Sequence, residues 1–266
     1  MPKVKINDIN LYYEIHGQGE PLVLISGFSA DHLLWGFVLE YLTPYYQVLV
    51  FDNRGAGQTD VPEGPYSIEQ MAQDIEALCQ HVGFENAHFV GNSMGGYLVQ
   101  MIAYHYPSLV KSVVISNSAM ITHSCFHIYA AAQLELLKLN ASPEALIKAS
   151  CAWAFSYNFL SQSNQLDNLM QLRLSNPYPF TIRGYEGQYA ALDGFDSRSW
   201  ANKIAVPTLV ISSDQDIILP ASLAQELLYK ISGAQHYCFE NCGHLPYVES
   251  PEKFSSVIKE FFTQNT

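Results

Sequence analysis

The sequence predicts an α/β protein: a mostly parallel sheet covered by helices on both faces and interrupted once by a helical insertion. Three observations predict it. Six short apolar bursts recur along the chain, helix patterns fall between them, and from about Ile121 to Trp200 the bursts stop. Short runs of this kind suit strands buried on both faces of a parallel sheet. Strand and helix in alternation give a sheet covered twice. A chain of 266 residues is long enough for one large domain with a buried core. Residues 1–120 and 201–266 are read as that core, and 121–200 as a helical cap inserted in it.

The elements follow in order. Residues 4–15 read as a hairpin around the Asn7-Asp8 turn. The bursts are Pro21–Ser26, Gln47–Phe51, Ala87–Val90, Lys111–Ser116, Pro207–Ile211 and Ala234–Phe239. Ser67 is a candidate N-cap, with Gln70 in capping-box position, for a helix to about His81 that stops at Gly83. Met94–His105 reads as a helix that ends before Pro107, and Ser222–Tyr229 and Glu252–Phe262 as two more. In the insertion, Cys125–Leu139 and Pro143–Tyr157 are helix-like. A long excursion between two strands of one sheet can serve as a lid.

Composition excludes several classes. With 48% hydrophobic and 14% charged residues the chain is not disordered. A net charge of -12 opposes binding to a phosphate backbone, so nucleic-acid partners are not expected. Residues 121–200 hold five bases and six acids, so -11 of that charge lies in the flanks. Three of the four arginines, Arg173, Arg183 and Arg198, fall in the insertion. No apolar run has signal-peptide or membrane-span length. The five cysteines are widely spaced and complete no metal site. Buried free thiols in a reducing, cytoplasmic compartment are the expectation.

The strongest local signal is His88-Phe89-Val90-Gly91-Asn92-Ser93-Met94-Gly95-Gly96, which sets Ser93 in a G-x-S-x-G frame. A strand precedes the frame and a helix follows it, the context a nucleophile elbow needs. Glycines on both sides let the strand and helix backbones approach. Backbone N–H groups at the helix start can then meet a developing negative charge. The plain alternative is a glycine-rich turn with an ordinary serine. Gly55-x-Gly57 lacks the rest of a dinucleotide fingerprint, and no phosphate-binding G-x-x-x-x-G-K-[ST] loop is present.

A serine hydroxyl needs a base, and the base needs an orienting carboxylate. Asp216 follows the fifth burst and His244 the last, so the order is serine, acid, histidine. Asp214 competes with Asp216, and strand position alone does not separate them. His236 and Glu240 are weaker contenders, since His236 falls within a strand.

With these residues the chain resembles the alpha/beta-hydrolase superfamily along nearly its whole length. The resemblance rests on Ser26-Gly27-Phe28, Phe51–Thr59 with its Arg54-Gly55 pair, Gly91–Gly95, Pro207–Pro220 and Cys242-Gly243-His244. It implies the alpha/beta-hydrolase fold and favours Asp216, four residues before Pro220, as the acid. It implies an oxyanion hole from the Phe28 and Met94 amides, and structural roles for Gly27, Arg54, Gly91 and Gly95. An arginine in a glycine-rich turn could otherwise bind an anionic substrate. The family usually has glycine at the position of Ser213 and often histidine at that of Ser26. A serine in place of an aspartate nucleophile argues against dehalogenase chemistry.

The resemblance is closest to small bacterial esterases, including enol-lactone hydrolases. It implies a serine hydrolase that cleaves a small carboxylic ester or lactone through an acyl-enzyme, with no cofactor and no metal. Trp153, Phe155, Tyr157 and Tyr185 are candidate substrate-lining aromatics, although aromatics also fill cores. Three alternatives accompany this reading. They are a carrier-protein methyl ester esterase of biotin synthesis, docking an acidic carrier protein on the insertion's arginines; a cofactor-free haloperoxidase-like enzyme; and a non-catalytic ligand-binding protein.

Overall fold

The computed structural model describes residues 3–265. Strands β1 (Lys3–Ile6) and β2 (Ile9–His16) form the hairpin, with Asn7 in the left-handed region at its turn (φ 50°). The apolar bursts become β3 (Glu20–Ile25), β4 (Tyr46–Phe51), β5 (Ala87–Asn92), β6 (Val110–Ser116), β7 (Thr208–Ser213) and β8 (Gln235–Phe239). All eight join one sheet in the order β1-β2-β4-β3-β5-β6-β7-β8. The β1–β2 and β2–β4 pairs are antiparallel, and every pair from β4 across to β8 is parallel.

Side chains alternate across the strands. Val23 and Ile25 of β3 and Leu49 and Phe51 of β4 enter one core cluster. Their neighbours Leu22, Leu24, Val48 and Val50 enter the other. Burial on both faces explains why the bursts run apolar without a gap.

Helix α1 (Gly36–Leu42) packs Val38 and Leu42 into the second cluster. The sequence reading gave no helix there, because Gly36 and the aromatic and β-branched neighbours make a weak helix signal in seven residues. Helix α2 (Ile68–Val82) starts at Ser67, whose side chain accepts the Gln70 N–H, and ends at left-handed Gly83 (φ 73°). Helix α3 (Met94–His105) lies beside it, under the first cluster.

The insertion holds five helices: α4 (Ser124–Lys138), α5 (Pro143–Ala154), α6 (Tyr157–Leu160), α7 (Ser163–Ser175) and α8 (Ile182–Asp193). Helix α5 is shorter than its expected end at Tyr157. Phe155 is extended, and the Ser156 hydroxyl caps a new turn by accepting the Phe159 N–H. An Ile121–Asp196 bridge and a Ser197 N–H to Met120 O hydrogen bond (2.9 Å) draw the insertion's two ends together. The chain then closes with α9 (Ala221–Lys230), α10 (Pro246–Glu249) and α11 (Pro251–Gln264).

No helix among the described residues is long and apolar enough to cross a membrane. The cysteines are all free thiols, but the expectation that they are buried needs correcting. Cys79, Cys151 and Cys242 are buried, whereas Cys125 and Cys238 are exposed. Cys125 sits in the first turn of α4 on the cap surface, and Cys238 lies on the edge strand β8, where no further strand covers it.

Candidate active site

β5 delivers the chain to Asn92, α3 takes it away from Met94, and Ser93 makes the corner at φ 57°, ψ -119°. A residue with a side chain is strained at such an angle and stays there only when its surroundings hold it. The Ser93 N–H donates to Ser116 O (2.9 Å), and Ser93 O accepts the Ser118 hydroxyl (2.8 Å). The corner is also close-packed. A Cβ at Gly95 would lie 2.2 Å from Ile25 O, and one at Gly91 would lie 2.1 Å from Gly95 O. Neither position has room for a side chain. A Cβ at Gly27 would meet Ser93 Cβ at 3.2 Å and Oγ at 3.8 Å, so Gly27 keeps the wall beside the serine clear.

The acid stands in the turn after β7. Asp216 Oδ1 accepts the Ile218 and Leu219 N–H groups, both at 2.9 Å. Its Oδ2 lies 2.7 Å from His244 Nδ1. That contact assigns the proton to Nδ1 and leaves Nε2 free. Asp214 faces elsewhere, with Oδ1 accepting the Cys242 N–H (3.2 Å). His236 bonds to Ser212 Oγ across the β7–β8 pair (2.9 Å). Of the competing carboxylates, Asp216 is the one in contact with His244.

Three neighbours were not found from sequence. Asn117, just past β6 at φ 45°, donates its amide to Asp216 Oδ2 (2.9 Å) and to Ser213 Oγ (3.0 Å). Its available signal was an asparagine at a strand end, which many turns share. Ser213 is therefore a hydrogen-bond partner of Asn117, and it sits in regular strand. Gln188 of α8 accepts the Ser29 N–H (2.9 Å) and donates to Arg54 O (2.8 Å), which holds the loop after β3. Glu249 of α10 accepts the Gly243 N–H (2.9 Å) and the Ser156 N–H (3.2 Å) and hydroxyl. Burial raises the Glu249 pKa. Nothing local in sequence marks the Gln188 contacts or the Glu249–Ser156 contact, since each joins cap to core across 93 or more residues.

Among the described residues, the N–H groups of Phe28 and Met94 have no hydrogen-bond partner. Met94 begins α3, so its amide is one of the four that an α-helix leaves unpaired. Phe28 is held edge-on by Tyr185 (4.5 Å) and Phe126 (5.4 Å) from the cap. Ser26 directs its hydroxyl to Asp31 O (2.9 Å), away from these amides.

Gly27, Phe28, Ser93 and His244 line a cavity of about 90 Å³, and a second of about 300 Å³ adjoins it beneath the cap. Of the aromatics singled out from sequence, Phe155 lines the first and Tyr185 the second. Trp153 lies behind Tyr129 (5.5 Å between ring centres) and packs on the core, while Tyr157 is 79% exposed. Tyr129 lines both cavities, and burial pushes its phenol up to about 12, so it enters them uncharged.

Arg54 is buried away from the cavities. Its guanidinium bonds Asp74 (2.8 and 3.0 Å) and Asp8 (3.0 and 2.6 Å), and its charge lies over the Tyr66 ring. Both forks are taken by protein carboxylates, so no face is open to an anionic ligand. Among the described residues no group of three or more His, Cys, Asp or Glu could hold a metal ion.

Residues 20–251 match the family model described as the alpha/beta hydrolase fold. The chain belongs to the alpha/beta-hydrolase family. It is accordingly a hydrolase of that fold, with a mostly parallel sheet and a helical cap. A 3-oxoadipate enol-lactonase of Acinetobacter baylyi is 29% identical, over 95% of this chain and 92% of its own. A pyrrolizixenacetamide deacetylase of Xenorhabdus hominickii is 30% identical, over 98% and 97%. A protein of Stutzerimonas stutzeri named for carbamate hydrolysis is 30% identical, over 96% and 97%. The crystal structure of an enol-lactonase from Burkholderia xenovorans superposes with a TM-score of 0.88 at 25% identity, covering 98% of this chain and all of that one.

Proposed function

We propose that this alpha/beta-hydrolase cleaves a small carboxylic ester or lactone through an acyl-enzyme on Ser93. The observation that carries the proposal is the 2.7 Å contact of Asp216 with His244 Nδ1, at the rim of the cavity that Ser93 lines. Names among the relatives that speak of a lactone or an amide favour acyl transfer of this general kind.

Ser93 Oγ attacks the acyl carbon while His244 Nε2 takes its proton. Asp216 fixes the imidazole and stabilises its charged form, and Asn117 and two backbone amides hold Asp216 in turn. The carbonyl oxygen becomes an oxyanion between the Phe28 and Met94 N–H groups, which start without partners and so need no reorganisation. His244 then protonates the departing alcohol. In a lactone that alcohol stays attached to the acyl chain. Water, deprotonated by the same histidine, releases the acid.

The test is Ser93→Ala assayed on short-chain esters and lactones, with fluorophosphonate labelling of the parent. Labelling should map to Ser93, and the variant's turnover should fall by about 10⁴-fold or more. Wild-type turnover in the variant would overturn the proposal.

A further inference from the structure

The two cavities share six residues: Ser29, Ala30, Leu34, Tyr129, Ser150 and Arg173. Arg173, on α7, is the charged one among them. Its state differs from that of the chain's other arginines. Arg54 is enclosed by Asp8 and Asp74, Arg198 is paired with Asp196 (2.6 Å), and Arg183 is exposed. Arg173 is half-buried, and among the described residues its side chain has no hydrogen bond and no carboxylate at ion-pair distance.

The surroundings do not supply a counter-charge at contact. Asp31 shares the larger cavity, but its Oδ1 accepts the Leu33 N–H (3.0 Å) and its Oδ2 accepts the Asn176 amide (2.5 Å). Burial and the nearby Asp52 charge raise the Asp31 pKa, and the Arg173 charge offsets this only in part, as expected of a neighbour without direct contact. The rest of the wall near Arg173 is largely apolar, with Leu34, Ile147, Leu169 and Phe155. A guanidinium taken partly out of water with no partner is costly, and a carboxylate meets its fork with two parallel hydrogen bonds.

We propose that Arg173 anchors a carboxylate on the substrate, so the ester or lactone opened at Ser93 carries a free carboxyl group. This rests on the hydrolysis proposed above and names its substrate class. The arginine touches substrate away from the reacting bond, so it sets specificity and the level of KM.

The experiment uses monoethyl esters of straight-chain dicarboxylic acids and esters of ω-hydroxy acids. Each is paired with the same ester ending in a carboxamide, which matches it in shape and lacks the charge. The parent should favour the carboxylate member of at least one series by about tenfold or more in kcat/KM, chiefly through KM. Arg173→Gln should bring that ratio close to one, Arg173→Lys should keep part of it, and Arg173→Glu should turn the preference toward an ester ending in an amine. A melting curve for each variant establishes that it is folded, and a reduced ratio in the lysine variant carries the test if the glutamine variant is not. Ser93-dependent turnover with no carboxylate preference in either series would overturn the anchor alone. A Gln variant slowed equally on both members of a pair would also overturn it, because that is a structural effect. Absence of Ser93-dependent turnover on every ester would overturn the anchor together with the hydrolase reading.

Discussion

Asn117 shows what the sequence could and could not convey at the scale of one residue. Ser93, Asp216 and His244 were legible because each sits in a short frame with its own turn chemistry. The choice between Asp214 and Asp216 was not settled by strand position, because both follow the same strand by a residue or three. What separates them is the far side of the site: His244 Nδ1 and the Asn117 amide both meet Asp216 Oδ2, at 2.7 and 2.9 Å. Asn117 belongs to a different strand end, and its partners lie about a hundred residues away. No local pattern encodes such a contact. A donor to a charged oxygen contributes about 1.5–3 kcal/mol, and here it also fixes the carboxylate's orientation. Asn117→Ala should therefore lower kcat/KM on a simple ester by about tenfold or more. Fluorophosphonate labelling should slow by a similar factor in protein that melts as a folded species. Unchanged labelling per folded molecule would mean that Asn117 serves the fold alone.

At the scale of elements, the sheet and the cap's first two helices were readable, and the rest of the cap was not. Strands buried on both faces leave continuous apolar bursts, and helices α2 and α3 carry clear start and stop signals. The cap's helices pack on one another as well as on the core, so their apolar positions answer to several neighbours at once. Helix α7 carries exposed polar residues through most of its length and showed no strong pattern. The join between cap and core is likewise a matter of tertiary contact. Ala154 O accepts the His244 N–H (2.8 Å), and Gln215 Oε1 accepts the Tyr157 N–H (3.0 Å). Glu249 bridges Gly243 and Ser156. The segment from 154 to 157 thus rests on the loops that carry both the histidine and the acid. Glu249→Leu would leave the Ser156 and Gly243 amides without their acceptor, at a cost of about 1–3 kcal/mol for each that stays dry. Amide hydrogen exchange in 154–157 and 242–246 should quicken, and kcat should fall more than global stability explains. Exchange that stays as slow as in the parent would show that the clasp does not hold the loop.

Over the whole molecule, Arg54 ties together parts that the sheet order keeps apart. It leaves the turn after β4, reaches Asp8 in the β1–β2 hairpin and Asp74 in α2, and so joins the antiparallel edge, the parallel sheet and a covering helix. From sequence, an arginine in a glycine-rich turn admitted both an anion site and a structural tie. Burial and two carboxylates decide for the tie. Its side chain and that of Asp74 are 1% and 3% exposed, so solvent screens the pair little. Asp8 is 58% exposed and contributes less. Removing one partner of a buried pair leaves the other charge uncompensated, which costs about 3–5 kcal/mol. Arg54→Met should lower unfolding free energy by about that amount in a urea titration. Arg54→Met with Asp74→Asn removes both buried charges, and it should recover a large part of the loss. The labelling rate of Ser93 in the folded double variant should stay near that of the parent, because Arg54 lines neither cavity. A double variant no more stable than the single one would show that the hydrogen bonds, and not the stranded charge, carry the tie.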